Sequence, residues 1–153
     1  MLALTLYTFL KFLHVLLAIV AVGVNASYGI WLARAAKDPD SYHFTLRGVK
    51  FLDDRIANPA YGLLLVTGLS MVWVGDVSLT QLWLELAIAL YIVLVLVGLF
   101  GYTPTLRDQI RVLDEHGAHS AEFHRLTKRG TTIGIVLAVD VIAIVFLMVT
   151  KPT

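Results

Sequence analysis

The chain contains no cysteine. That excludes disulfides, thiolate metal sites, iron–sulfur clusters and covalently attached c-type haem, and it leaves the redox compartment open. Charge is scarce too. Asp, Glu, Lys and Arg make up 15% of the 153 residues, against roughly 25% in a soluble domain. The net charge is +1, so no global field favours nucleic acid. Low hydrophobicity is the signature of disorder, and here 58% of residues are hydrophobic. With a mean hydropathy of +0.80, this composition describes an integral membrane protein.

A spanning helix needs about 20 apolar residues to cross a hydrocarbon core about 30 Å thick. Four segments meet that need, over about 4–36, 58–77, 82–104 and 130–150. The expectation is an all-α, four-transmembrane-helix bundle forming one membrane domain over the whole chain. The first span does not read as a cleaved signal peptide, because no basic residue precedes Lys11 and the apolar run is too long. Arg34, Lys37, Arg47, Lys50 and Arg55 lie between spans one and two, and Arg107, Arg111, Arg125, Lys128 and Arg129 between spans three and four. The loop 76–81 carries no basic residue. Loop charge therefore places both long loops in the cytoplasm and both termini outside, in the cell (inner) membrane.

Within the long loops, Phe44, Val49, Leu52 and Ile56 suggest an interfacial helix bracketed by Pro39 and Pro59. Leu106, Ile110 and Leu113 suggest that the third helix continues beyond the membrane to about Gly117. Ser78 and Gln81 have the spacing of a capping box at the start of the third span. The run 114–124 carries His116, His119 and His124 but no known metal-ligand spacing, and it reads as a solvated helix–turn–helix connection. Trp31, Trp73, Trp83 and Tyr102 near span ends read as an aromatic belt.

Helical spacing puts Tyr7, Lys11, His14, Ala18, Ala21, Asn25, Tyr28 and Leu32 on one face of the first span. This polar and small-residue face should meet the bundle interior, because an unpaired polar group in hydrocarbon costs several kcal/mol. Ala18 and Ala21 would permit close helix approach or leave room for a flat ligand. His14 has two readings. Its imidazole could ligate haem iron, or it could be hydrogen-bonded between helices. Lys11, one turn away, could meet a haem propionate, pair with Glu85, or snorkel to the interface. Asp140 lies mid-span in the fourth helix, where a charge is expensive. It could relay protons, orient His14 from behind, or sit protonated and hydrogen-bonded. Asn25, Tyr28, Asn58 and Tyr61 could form one polar cluster through interhelical hydrogen bonds.

The segment Leu10-Lys11-Phe12-Leu13-His14-Val15-Leu16, followed by Gly23, Tyr28 and Arg34, resembles the first helix of small bacterial four-helix membrane proteins. It is similar to HemJ-type protoporphyrinogen oxidases, which open with a Lys-x-Leu-His element and bind haem b, and to the membrane domain of CopD-type copper-resistance proteins. A bacterial integral-membrane family of the same size matches it too, including the ending Met148-Val149-Thr150-Lys151-Pro152. The resemblance implies haem b held by His14 as metal ligand, with Lys11 near the cofactor. The residues between Tyr28 and Arg34 do not reproduce the oxidase family's Tyr-Leu-Pro-Arg-Leu stretch, so porphyrinogen oxidation is a weaker implication than haem binding.

The leading expectation is a haem b-binding membrane redox protein with His14, Lys11, Asn25, Tyr28 and Asp140 around the cofactor. Its partners would be the lipid bilayer and a quinone, porphyrin or redox protein, with a homodimer as one way to supply a second ligand. The alternatives are a cofactor-free accessory or scaffold subunit, and an oligomeric ion-coupled carrier using Asp140.

Overall fold

The computed structural model describes residues 2–152. Four long helical rods account for nearly all of them, and each is long and apolar enough to cross a membrane. The first is α1, Leu2–Ala35. After a 3-10 turn at Pro39–Ser41 comes the second rod. It runs through α2, Tyr42–Leu52, a π-helical turn at Asp53–Ala57, and α3, Asn58–Val74. The third rod repeats the plan: α4, Leu82–Val97, a π-helical turn at Gly98–Tyr102, and α5, Thr103–His116. The fourth is α6, Ala121–Thr150.

Both π-turns have the same cause. Pro59 and Pro104 lack an N–H, and in α-winding their rings clash with the carbonyl four residues back. The helix widens just before each proline. The Asn58 N–H reaches back five residues to the Asp53 carbonyl, and the Thr103 N–H reaches the Gly98 carbonyl. The rods then continue unbroken. This corrects the expected interfacial helix between Pro39 and Pro59: α2 is the extension of the second span. Its buried positions, Leu46 and Val49, continue as Asp53, Ala57, Ala60, Leu64 and Thr67 down one side of the rod. Phe44 lies off this buried side and is exposed.

The ends follow local chemistry. Gly117 terminates α5 at φ 79° and ψ 169°, a conformation open essentially to glycine alone. Ser120 caps α6, its Oγ accepting from the Phe123 N–H at 3.2 Å. The expected capping box at Ser78 and Gln81 does not form. Ser78 Oγ instead accepts from the Thr80 N–H at 3.3 Å, and Gln81 accepts from the Trp83 indole at 2.8 Å. The Lys151 ammonium lies 5.3 Å from the centre of the Trp83 ring, joining the end of α6 to the start of α4.

The rods associate as two pairs. α1 packs along α3, and α4 packs along α6. α6 touches α1 only briefly. The pairs are joined at the end that carries the long connections, here called the basic end, where α2 packs on α5, α5 on α6 and α1 on α2. The larger apolar core sits there, built from Tyr28, Leu46, Leu106, Val112, Phe123 and Leu126 among others. A smaller cluster of Ala21, Ala60 and Leu64 lies between α1 and α3. Elsewhere the rods present large apolar side chains outward, such as Phe12, Ile19, Ile92, Val139 and Phe146, as lipid contact requires. On the surface of the basic end, Asp114 of α5 pairs with His43 and Arg47 of α2, both at 3.1 Å. Such exposed pairs contribute little.

Candidate functional site

The interior-facing residues of α1 repeat every seven positions: His14, Ala21, Tyr28 and Ala35. The last three are buried and His14 is half-buried. The polar face read from the sequence therefore does face protein, with one exception. Lys11 is exposed.

His14 meets α3. Its Nδ1 is 2.8 Å from Thr67 Oγ1. The Thr67 hydroxyl has a single proton, directed at the carbonyls of Leu63 at 2.8 Å and Leu64 at 3.1 Å. That geometry fits Nδ1 as donor and Thr67 as acceptor, the role of each depending on the imidazole tautomer. Gly68 makes this approach possible. A Cβ there would lie 3.2 Å from His14 Cε1. Gly68→Ala is accordingly expected to shift the ring by a few tenths of an ångström and lower stability slightly. Gly68→Leu should break the His14–Thr67 contact and lower the midpoint of thermal unfolding clearly. Equal melting of the two variants would refute that steric account.

The partner orienting His14 is thus Thr67, where the sequence reading had offered Asp140. Asp140 sits on α6, whose main neighbour is α4, and its buried Oδ2 has no hydrogen-bond partner. Among the described residues, no hydrogen bond or ion pair links His14 to Lys11, Asn25, Tyr28 or Asp140, and none joins Lys11 to Glu85. By helix rise alone, Asn25 and Tyr28 lie about 16 and 21 Å along the axis from His14. They belong to a second polar group.

That group gathers at the basic end, where all four rods come together. Asn25 Nδ2 donates to Tyr61 Oη at 2.9 Å. Tyr91 Oη donates to the Tyr61 carbonyl at 2.5 Å, reaching from α4 to α3. Asp53, on the first π-turn, is 5% exposed. Its Oδ2 accepts from Asn58 Nδ2 and from Thr103 Oγ1, each at 3.3 Å. The second contact crosses between the two kinked rods. Tyr28 is buried with its hydroxyl unpartnered, and Asp53, Tyr102 and Tyr61 all lie within electrostatic range of it. Of the expected grouping of Asn25, Tyr28, Asn58 and Tyr61, Asn25 and Tyr61 bond to each other and Asn58 bonds to Asp53, a residue that sequence reasoning missed. The available signal was its place in the buried stripe Leu46, Val49, Asp53, Ala57. A third lock sits between α5 and α6, where Gln109 Nε2 donates to Thr127 Oγ1 at 3.2 Å beside Gly130.

Tested against haem, this arrangement fits in part. The His14–Thr67 bond uses Nδ1 and not Nε2, and Lys11 stands one turn away on the same helix. Asn25 is committed to Tyr61, and Tyr28 sits within the Asp53 group. No group of three or more His, Cys, Asp or Glu side chains suited to a metal ion occurs among the described residues.

A family model described as predicted integral membrane protein (DUF2269) matches residues 8–152. The chain belongs to the DUF2269 family. No curated protein and no solved structure matches it. Membership accords with the four spans, while nothing in these comparisons points to HemJ-type or CopD-type proteins.

Proposed function

We propose that this DUF2269 protein is a cofactor-free accessory or scaffold subunit of the membrane, its embedded polar residues serving to lock helices together. The observation that carries this reading is the His14–Thr67 hydrogen bond at 2.8 Å. The one histidine within the apolar part of a span is used between helices, as Asn25 is with Tyr61. Polar bonds of this kind hold membrane helices in register, at about 0.6 kcal/mol each on average. The basic residues of both long connections gather at one end, which supports an orientation with that end in the cytoplasm and both termini outside.

A second reading starts from the Nε2 of His14, which the Thr67 bond does not use. A haem b could bind there, with Lys11 placed toward a propionate. The group would supply one-electron chemistry when bound. The chain would supply the ligand nitrogen, its orientation through Thr67 and an apolar surround. A quinone, porphyrin or redox protein would be the partner.

A visible spectrum of the purified protein, expressed with haem supplied, separates the two readings. The scaffold reading expects no Soret band, and a His14→Ala variant that is less stable but otherwise intact. A Soret band that disappears in His14→Ala overturns it in favour of the haem reading.

A further inference from the structure

The Asp53 group has features that helix locking does not account for. Asp53 is buried, and the two hydrogen bonds it accepts from Asn58 and Thr103 both fall on Oδ2 and are long at 3.3 Å. A carboxylate offers about four acceptor positions. A second, independent feature lies within its electrostatic range: the buried hydroxyl of Tyr28, which has no partner. Buried polar atoms in this state call for an occupant.

The local charge indicates its sign and size. Lys50 is the cation acting on Asp53 among the described residues, and its ammonium is paired with Asp54. Arg55 is exposed and lies two residues on from Asp53, about 200° round the rod. With Asp53 ionised, Asp53, Asp54 and Lys50 together leave one negative charge uncompensated. An unpaired buried carboxylate is costly, and one positive charge neutralises it. The neighbours are all oxygen-bearing: the Tyr28 hydroxyl, the Asn58 amide and the Thr103 hydroxyl. Oxygen donors suit hard cations.

We propose that a small monovalent cation of the sodium class binds at Asp53, with Tyr28, Asn58 and Thr103 completing the site between the two kinked rods. The cation ties α1, the second rod and the third rod together at the end where the span pairs meet. This inference stands apart from either reading of His14.

The test is thermal unfolding of the full chain in nanodiscs, followed by tryptophan fluorescence, in sodium, potassium or choline chloride at constant ionic strength. Replacing choline by sodium is expected to raise the midpoint saturably, because a ligand bound only by the folded state stabilises it. Potassium should act at higher concentration or equally, since choline is the ion too large to enter. Asp53→Asn should abolish the difference between salts. Tyr28→Phe, which preserves bulk, should raise the half-saturating concentration roughly tenfold or more. If Asp53→Asn does not fold, Tyr28→Phe decides. Equal midpoints in all three salts overturn the proposal, as does an unchanged sodium response in Tyr28→Phe. Stabilisation by acid without any cation dependence also overturns it, and would show that a proton occupies the carboxylate.

Discussion

Phe123→Ala is expected to remove about 3–5 kcal/mol of stability, the usual cost of deleting a large buried ring. Phe123 is 1% exposed in the core of the basic end and packs edge-on against Tyr42, with ring centroids 5.1 Å apart and planes at 82°. It sits on α6 but contacts a residue of α2, so it joins the second span pair to the first. The loss should therefore appear in two ways: a lower unfolding midpoint, and a broader distance distribution between spin labels on α3 and α4. Phe146→Ala provides the contrast. Phe146 is on the same helix but outward-facing, and its loss exchanges a side chain for lipid tail, with little effect on either readout. Similar losses from Phe123→Ala and Phe146→Ala would mean that the pairs are not held together by this core.

The second large effect is expected from Ala21→Leu. Ala21 has no exposed surface and lies against Ala60 and Leu64, with Leu17, Ala18 and Tyr61 around them. Membrane helices associate through close backbone approach at small residues. Three added carbon atoms have nowhere to go unless α1 and α3 separate. Overpacking of this kind costs about 1–3 kcal/mol. It should also lengthen the Asn25–Tyr61 bond one turn away. The expected result is a lower midpoint together with faster hydrogen exchange in α3, whereas Ala26→Leu, on the exposed side of α1, should change neither. An Ala21→Leu protein as stable as wild type would show that the gap beside Ala21 accommodates more than the close packing implies.

That same residue shows how far the fold could be read in advance. Spacing alone placed Ala18 and Ala21 on the interior face, because the 3.6-residue period is set by the helix and needs no partner. Whether those small residues admit a neighbouring backbone or a flat ligand depends on the partner helix, and its choice is tertiary. α3 fills the space. The span count, the continuation of the third helix to His116 and the break at Gly117 were legible because hydropathy and glycine stereochemistry act locally. The continuous second rod was not. Pro59 looked like a boundary, and the π-turn that lets a helix run through it leaves no obvious signature in composition.

The candidate site divides in the same way. His14, Asn25, Tyr28 and Tyr61 were found because polar residues in apolar runs stand out. Asp53 lay in a charged stretch beside Asp54 and Arg55 and looked like ordinary loop charge. Its burial depends on Thr103, fifty residues away, which no short window can see. Asp140 stood out and remains without a visible partner. Its prominence in the sequence came from its depth in the span, which is independent of what it touches.

Pairing by neighbours in the chain also has a consequence for the order in which the molecule is made. The first pair, α1 with α3, needs no residue beyond Val74. The second pair, α4 with α6, closes only with the last thirty residues. Phe123 and Leu126, which share the core of the basic end with Leu46 and Val49, are made late. The expected order of assembly is pairing within each half, followed by docking of the halves at the basic end. The halves would remain inserted, though undocked, in a chain whose final contact had failed.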